Sequence, residues 1–362
     1  MQFTLTKTPL LNSLQAVQNV VSNRPTNPIL TNVLIEAKDG KLTLTCSDLD
    51  LTIRCTVDAE VAEPGATTLP VKRLANITRE LPEGPISFKT KDASAEIKCA
   101  ASHLRLNCMD AADYPPIPDV DDSVAYTIEK LVFADMLKKT SYAASNDDSR
   151  PALNGVLMSF DEDKLTCVAT DGRRLALIEH PVEFPAENKC DRILPRRAVN
   201  ELIRVLAGDG SLRISITKNQ AVFSFDNMVF YTKLLEGVFP NYRQVITQNH
   251  PNHVVAVREE LIAVLRRASF FTTEKSNSMR LTFENNLLNV SASSSEVGDT
   301  EEEVSIKYDG PKVSAFYNPD FMLDPLRALT SDEVFIELNN DQSPCLIKCE
   351  QPFLYVLMPL RM

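Results

Sequence analysis

The amino-acid sequence predicts an α+β fold built from three similar domains. The same order of strands and amphipathic helices recurs along the 362 residues. The interval between copies is roughly 120 to 126 residues, an ordinary domain length. Boundaries near residues 122 and 250 divide the chain into domains 1–122, 123–250 and 251–362. A unit that is repeated in this way indicates that the function belongs to the array rather than to one active site.

Each repeat begins with an alternating strand and an amphipathic helix. The strands are expected at Phe3–Leu5, Tyr126–Ile128 and Val254–Val257. Apolar residues spaced by three and four follow each strand, and this spacing places one face of a helix on a sheet.

Paired strands come next in each repeat. Period-two alternation bounded by Asp, Asn and Gly is the hairpin signal. The expected hairpins join Asn32–Glu36 to Leu42–Cys46, Gly155–Met158 to Leu165–Val168, and Met279–Phe283 to Leu287–Val290.

A proline opens a second helix in each repeat, and two more strands close the unit. The prolines are Pro70, Pro195 and Pro319, and proline suits the first helical turn because its missing N–H would have no partner there. Pro325 lies within the following apolar run and is expected to kink that helix or delay its start. The order of elements also suggests a smaller duplication of about 60 residues inside each domain.

Composition limits the class of protein. The chain is 44% hydrophobic and 24% charged, and it has no apolar run long enough to span a bilayer. The N-terminus lacks a charged start followed by an apolar stretch, so no secretory signal is predicted. We therefore expect a soluble, cytoplasmic globular protein without a membrane partner.

The residues that usually carry catalysis or bind metals form no pattern of that kind. The eight cysteines are scattered without a Cys-x-x-Cys pair, and several fall in strand patterns, which is typical of reduced core residues. The four histidines do not recur between repeats and have no metal-ligand spacing. The sequence has no phosphate-binding glycine loop. It therefore predicts no catalytic residue, no metal and no cofactor.

Basic residues are segregated although the net charge of the chain is −11. Acidic runs lie at 119–122 and at Glu296–Glu303, away from the basic helices. One interpretation is that solvated helix faces simply carry Lys and Arg. The other is that one helical surface attracts a polyanion while the acidic exterior discourages nonspecific adhesion. The basic helix residues are Lys72, Arg73, Arg79, Lys138, Lys139, Arg196, Arg197, Arg204, Arg258, Arg266 and Arg267.

Five segments carry a resemblance to a known family through their order and spacing. They are Arg24–Leu30, Leu153–Gly155, Ala169–Ala176, Glu236–Arg243 and Tyr355–Arg361. Over essentially its whole length, the sequence resembles the bacterial sliding clamps, the β subunits of DNA polymerase III. The resemblance implies a non-catalytic homodimer in which two three-domain protomers join head to tail into a closed ring around duplex DNA. It also implies partners that carry a clamp-binding peptide: the catalytic subunit of the replicative polymerase, other polymerases, repair factors and the clamp loader.

Helices would line the hole of such a ring, so that phosphates are contacted and base edges are not. Binding to double-stranded DNA would then be independent of sequence, and retention would be topological. Arg24 and Arg150 occupy corresponding turns of the first two domains, and either could instead brace its own loop. The candidate DNA-contacting residues are Arg24, Lys72, Arg73, Lys138, Lys139, Arg150, Arg196, Arg197, Arg266 and Arg267.

The resemblance also implies a peptide-binding pocket between the second and third domains. A peptide with a Gln and a Leu-Phe-like end would insert apolar side chains onto a floor of Met and Leu, with arginines at the rim. Arg173 stands where many relatives have His, Gln244 where many have Arg, and Pro344 where Ser is common. These departures leave the ranking of partner peptides open. The expected pocket residues are Leu153, Thr170, Gly172, Arg173, Arg174, Leu175, Pro240, Val245, Val356, Met358, Pro359, Leu360 and Arg361.

The resemblance places ring closure between domain 1 of one protomer and domain 3 of the other. Lys72 and Arg73 are expected to meet the acidic segment Glu296–Glu303 at this seam. The matching apolar positions are Leu104 and Leu106 against Phe270 and Phe271.

Two other functions stay open on the residues alone. One is a phosphoryl or nucleotide enzyme whose phosphate site is Asp171, Arg173 and Arg174, although no glycine-rich cradle accompanies them. The other is a protein-binding scaffold that never meets DNA, which would show no salt-dependent association with duplexes.

Overall fold

The structure is a computed structural model that describes residues 1–22, 27–117, 125–246, 250–273 and 276–361. Within these ranges, none of the helices has the length and hydropathy needed to cross a membrane. The helices are α1 (Lys7–Val17), α2 (Val71–Glu80), α3 (Lys130–Thr140), α4 (Arg196–Val205), α5 (Arg258–Ser269) and α6 (Pro319–Ala328).

Antiparallel strands make up most of the fold. The strands that precede α3 are β1 (Gln2–Thr6), β2 (Asn32–Lys38), β3 (Lys41–Ser47), β4 (Leu51–Asp58), β5 (Glu60–Glu63), β6 (Gly65–Pro70), β7 (Pro85–Lys91), β8 (Ser94–Cys99), β9 (Ser102–Asn107) and β10 (Ala125–Glu129). Those up to α5 are β11 (Gly155–Asp161), β12 (Lys164–Thr170), β13 (Arg174–Pro181), β14 (Cys190–Pro195), β15 (Ser211–Ile216), β16 (Gln220–Phe225), β17 (Met228–Lys233) and β18 (Asn252–Val257). The remaining strands are β19 (Met279–Glu284), β20 (Leu287–Ser294), β21 (Gly298–Lys307), β22 (Val313–Tyr317), β23 (Glu333–Leu338), β24 (Cys345–Lys348) and β25 (Phe353–Leu357).

The chain separates into two compact units. The first comprises Met1–Leu131 and Glu201–Leu234, and the second comprises Val132–Asn200 and Leu235–Met362. The first unit holds a five-stranded sheet in the order β5-β1-β7-β8-β9 and an eight-stranded sheet in the order β10-β15-β16-β17-β4-β3-β2-β6. The second unit holds a twelve-stranded sheet in the order β14-β11-β12-β13-β25-β24-β23-β18-β21-β20-β19-β22. Helices packed on antiparallel sheets confirm the α+β fold class.

The periodicity of the sequence located the openings of the three repeats. The strand-and-helix pairs are β1 with α1, β10 with α3, and β18 with α5. The predicted hairpins pair in register as β2 with β3, β11 with β12, and β19 with β20. Helix α1 packs on β3 and β4, and α5 packs on β20 and β21 and against α6. Domain boundaries near 122 and 250 stay a prediction, and position 122 lies outside the described residues.

The prolines expected in the first helical turns occupy two kinds of position. Pro70 and Pro195 are the last residues of β6 and β14, and α2 and α4 begin one residue later. The expectation is wrong for these two because each proline is still a paired residue of its strand. Pro319 is the first residue of α6, and the Asn318 side chain caps that helix.

Pro325 lies inside α6 without delaying its start at Pro319. A proline within a helix offers no N–H to the carbonyl four residues earlier, which here belongs to Phe321. The hydroxyl of Tyr355 on β25 donates a hydrogen bond to the Phe321 carbonyl at 2.8 Å. The bond that the helix lacks is therefore replaced from the neighbouring strand, which fixes α6 against β25.

Most of the cysteines are core residues, as expected. All eight carry free thiols, and six of them are buried: Cys46, Cys55, Cys99, Cys167, Cys345 and Cys349. Burial raises the pKa of the Cys345 thiol to about 12, so this side chain is an uncharged part of the core at neutral pH.

We predict that Tyr355→Phe lowers the free energy of unfolding by about 1–3 kcal/mol, because the Phe321 carbonyl loses its donor. Pro325→Ala supplies the missing N–H, so the double variant should recover part of that loss. Urea unfolding of the parent, both single variants and the double variant measures the coupling. Strictly additive effects of the two substitutions would contradict this account of α6.

Candidate functional site

An apolar cavity of about 500 Å³ opens on the second unit. Its walls are the short 3-10 turns Pro151–Leu153 and Tyr242–Val245, the turn between β12 and β13, and the end of β25. The lining residues are Arg150, Leu153, Thr170, Gly172, Arg173, Arg174, Leu175, Pro240, Asn241, Tyr242, Val245, Val356 and Met358.

The cavity brings together most of the residues that the sequence assigned to a peptide pocket. The exceptions are Pro359, Leu360 and Arg361, which follow in the C-terminal tail and do not line it. Asn241 and Tyr242 line the cavity without having been predicted. Both lie in Glu236–Arg243, one of the segments that carry the resemblance, and their place beside Pro240 is the signal that could have found them.

The floor of the cavity is one face of the twelve-stranded sheet. Leu175 on β13 pairs with Val356 on β25, and both are buried. The ring of Tyr242 packs in the same apolar cluster, and burial raises the pKa of its hydroxyl. Val245 and Met358 are exposed. A preformed concave surface with exposed apolar side chains on its wall is typical of a binding site.

The C-terminal tail is held to the sheet by two backbone hydrogen bonds. The N–H of Met358 donates to the Arg173 carbonyl at 3.0 Å, and the N–H of Leu360 donates to the Phe316 carbonyl at 2.7 Å. These bonds hold the backbone of Met358 beside the turn that precedes β13. Pro359 is buried and Arg361 is exposed, so the tail covers core residues on one side and meets solvent on the other.

One wall of the cavity rests on the largely buried side chain of Arg174, which is 9% exposed. Its Nε donates to Asp171 Oδ2 at 3.0 Å, and its Nη1 donates to Asp324 Oδ2 at 2.6 Å. Its Nη2 donates to the Tyr142 carbonyl at 2.6 Å. The guanidinium carbon lies 4.0 Å from the centroid of the Phe321 ring. A single side chain therefore ties the turn before β13 to the 3-10 turn after α3 and to α6.

The partners of Arg174 correct its expected role. Burial acts to lower the pKa of Arg174, but Tyr355 and Asp324 raise it above its usual value, so the guanidinium stays charged. Its donors already bind within the chain, so it supports the wall and does not act as a free rim cation. Asp171 is likewise occupied by its ion pair with Arg174. Asp171 and Arg174 therefore do not form, with Arg173, the open phosphate site of an enzyme.

Arg173 fits the role of a rim cation. Its side chain is exposed, whereas its backbone N–H donates to Asp171 Oδ1 at 2.9 Å. In the ranges that the structure describes, its guanidinium forms no ion pair. It can therefore reach a peptide carbonyl or a carboxylate at the mouth of the cavity.

Arg150 was expected to contact DNA, and the structure assigns it to the cavity wall. Its Nε pairs with Asp147 Oδ2 at 3.1 Å, and its Nη2 donates to the Asp171 carbonyl at 3.2 Å. Gly172 has a φ of +89°, and a Cβ there would lie 3.1 Å from Arg150 Nη1. The geometry favours the alternative in which Arg150 braces its own loop, so we leave it out of the DNA-contacting set.

Lys139 also departs from its expected role. Its side chain is 1% exposed, and its Nζ lies 2.5 Å from Asp135 Oδ2 and donates to the side-chain oxygen of Gln351. A buried, paired ammonium group cannot reach a phosphate, so we leave Lys139 out of the DNA-contacting set. Its neighbour Lys138 is exposed.

Six of the other DNA candidates lie on exposed helix positions. Arg24 is outside the described residues. Arg196 is half-buried, and Arg267 forms a two-fold hydrogen bond with the Glu302 carboxylate at 2.8 and 2.6 Å. The exposed candidates are Lys72, Arg73, Lys138, Arg197, Arg266 and Arg267.

The candidate interface residues lie on two elements. Leu104 and Leu106 are on β9, the last strand of the five-stranded sheet; Leu104 is half-buried and Leu106 is buried. Phe270 directly follows α5 and is 66% exposed, and Phe271 is half-buried. An aromatic ring this exposed is typical of an interaction surface.

The repeated antiparallel sheets with paired helices, and a preformed apolar cavity, define the class of DNA clamp proteins. Family models for the N-terminal, central and C-terminal domains of the DNA polymerase III beta subunit match residues 1–118, 127–241 and 243–361. The chain belongs to the DNA polymerase III beta subunit family, whose members are processivity clamps for a DNA polymerase and not enzymes. Within the described ranges, no three His, Cys, Asp or Glu side chains are grouped as a metal site.

Named relatives match over whole chains. The chain is 33% identical over 363 residues to the beta sliding clamp of Chlamydia muridarum, covering 100% of this chain and 99% of that one. It is 33% identical over 369 residues to that of Escherichia coli K12, with 100% of both covered. The solved clamp of Pseudomonas aeruginosa bound to griselimycin has a TM-score of 0.96 at 31% identity, and that of Bacillus subtilis has 0.96 at 26%. These two structures cover 100% of this chain, and the match spans 100% and 99% of theirs.

We predict that Arg174→Ala lowers the free energy of unfolding by about 3–5 kcal/mol, because two carboxylates lose a buried partner. The adjacent Arg173→Ala is the matched control and should change it by less than about 0.5 kcal/mol, since its side chain is exposed. Urea unfolding followed by circular dichroism compares the two variants. Equal losses would show that Arg174 is not the anchor of this wall.

Proposed function

We propose that two copies of this chain join head to tail into a closed ring that encircles double-stranded DNA without sequence preference. The ring tethers the catalytic subunit of the replicative polymerase for processive synthesis. Other polymerases, repair factors and the clamp loader bind the same cavity through a short clamp-binding peptide. The observation that carries this proposal is the preformed apolar cavity on the second unit, because most of its lining residues are ones that the family resemblance selected.

The shape and chemistry of the cavity support a peptide with an apolar end. Leu153, Leu175 and Val356 supply a rigid apolar surface, and Met358 adds an adaptable thioether at the mouth. Arg173 lies at the rim, where it can hold a peptide carbonyl or an acidic side chain. Anchoring a few apolar side chains in such a concave site gives most of the affinity of a short peptide.

The helix cations, six of them exposed and Arg196 half-buried, support contact with DNA phosphates. The proposed residues lie on α2, α3, α4 and α5 of a chain whose net charge is −11, so the positive charge is local. Contacts of this kind depend on salt and carry no sequence information. The proposed set is Lys72, Arg73, Lys138, Arg196, Arg197, Arg266 and Arg267, and Arg24 joins it on the sequence alone.

Two strand edges support head-to-tail closure of the ring. Strand β9 ends its sheet and carries the exposed Arg105 between Leu104 and Leu106. Residues 298–304 of β21 pair with β20, and in the described part of the chain no strand pairs with their other side. That stretch carries Glu301 and Glu303. We propose that β9 of one protomer meets β21 of the other, with Phe270 covering the leucines.

The same proposal includes the three domains 1–122, 123–250 and 251–362 and a location in the cytoplasm. The free thiols of all eight cysteines support a reducing compartment. The clamp of Pseudomonas aeruginosa binds griselimycin, and we propose that this compound competes with the peptide for the cavity of this chain.

Met358→Asp is predicted to weaken binding of a fluorescent peptide with a Gln and a Leu-Phe end by about tenfold or more, because a carboxylate replaces an apolar contact. Met109→Asp is a matched control, since the two methionines are 40% and 42% exposed and Met109 lies in the first unit. Fluorescence anisotropy measures both affinities. Deleting Met358–Met362 should abolish binding and leave the dimer intact.

Unchanged peptide affinity in the Met358 variant or in the deletion would remove the cavity from the proposal. Loss of affinity in the Met109 control would show that the effect of the substitution is not local.

Replacing Phe270 and Phe271 together by Asp is predicted to convert the dimer to monomers, because charged groups would be buried at an apolar seam. Sedimentation velocity at micromolar concentration measures the shift. Val238→Asp, at another exposed apolar position of the second unit that lies on neither β20 nor β21, is the control and should stay dimeric. A dimer that survives the double substitution rules out this seam.

A further inference from the structure

A second cavity, of about 430 Å³, lies beside the first on the same unit. The ring of Tyr242 lines both cavities. Apolar side chains of Leu177, Ile246 and Leu354 form its floor, and they belong to the same apolar cluster as the floor of the first cavity. The pocket residues that the sequence predicted do not line this second cavity.

Strand register shows that the two cavities follow one another along one sheet face. Leu175 pairs with Val356 in the first cavity, and Leu177 pairs with Leu354 in the second. Residues two apart on a strand point to the same face, about 7 Å apart. The floors are therefore consecutive steps along β13 and β25, and a chain bound in one cavity can continue into the other.

The charges around the second cavity favour a ligand that carries an acidic group. Two charged residues line this cavity and are paired within the chain. Glu179 pairs with Lys164 at 3.0 Å, and Lys348 pairs with Glu337 at 2.8 Å, so the charges of Glu179 and Lys348 are neutralised. Arg243 is exposed, and its guanidinium carbon lies 5.0 Å from the centroid of the Tyr242 ring. It pairs with no carboxylate in the ranges that the structure describes, so it adds positive charge to the rim.

We propose that this second cavity binds the residues that flank the clamp-binding peptide of a partner protein. An apolar side chain of the flank enters between Leu177, Ile246 and Leu354, and an adjacent carboxylate pairs with Arg243. This proposal rests on the peptide-binding function proposed for the first cavity. Partners that carry such a flank bind more tightly than partners that carry the short peptide alone, which makes the second cavity a determinant of partner preference.

Three fluorescent peptides, acetylated and amidated at their ends, test the proposal on the full-length protein. One is a pentapeptide that begins with Gln and ends in Leu-Phe. The other two add a Leu and an Asp beyond its amino end or beyond its carboxyl end. Arg243→Glu is the test variant, and Arg327→Glu, another exposed arginine of the second unit that lines neither cavity, is the matched control.

One extended peptide is expected to bind about tenfold more tightly than the pentapeptide. Arg243→Glu should remove that gain and leave the affinity of the pentapeptide unchanged, and Arg327→Glu should keep the gain. Ile246→Ser should reduce it through the apolar contact.

The proposal is overturned if neither extension increases affinity, or if the gain persists in both the Arg243 and the Ile246 variant. In those cases the proposed function still stands if the pentapeptide binds the parent protein and the Met358→Asp variant binds it more weakly. A pentapeptide that does not bind at all overturns both the proposed function and the second cavity.

Discussion

The candidate site depends on the ion pairs and hydrogen bonds of the largely buried Arg174 guanidinium. This guanidinium joins Asp171, Asp324 and the Tyr142 carbonyl, and it stacks on the Phe321 ring. A charge removed from water is stable only when its partners are in place. The loss of one partner would therefore leave the remaining charged groups incompletely paired and destabilise the fold. This mutual requirement holds the turn before β13, the 3-10 turn after α3 and α6 in one arrangement. The wall of the cavity is therefore formed before any ligand arrives.

Sheet register turns that wall into a binding surface. Antiparallel pairing of β13 with β25 places alternate apolar side chains on one face, and two short 3-10 turns close the sides. A hydrogen bond from the Met358 N–H to the Arg173 carbonyl fixes the backbone at this position, whereas the exposed Met358 side chain can adapt to a ligand. The exposed Phe270 and the cations of α5 do not line this cavity.

Local patterns predicted the elements well, whereas the roles of single side chains depended on distant contacts. Periodicity located the opening strands, the helices and the hairpins, because these follow from neighbouring residues. Lys139 looked like a surface cation, but its burial depends on Gln351, more than two hundred positions away. Arg150 was likewise expected to contact DNA, but its guanidinium donates to the Asp171 carbonyl beside the cavity. Met358 continues the apolar pattern of the last strand and is predicted from that pattern to be a core residue, so only the family resemblance indicated its place at the cavity.

Crystal structures of the protein with and without a bound Gln-to-Leu-Phe peptide would show whether the cavity is a preformed peptide-binding site. We expect the peptide to occupy the cavity at Leu153, Leu175 and Met358. We also expect Arg174 to keep its bonds to Asp171 and Asp324 in both structures, because the wall is preformed. A structure in which Arg174 leaves these carboxylates to bind the peptide, or in which the peptide lies elsewhere, would contradict a preformed peptide-binding cavity.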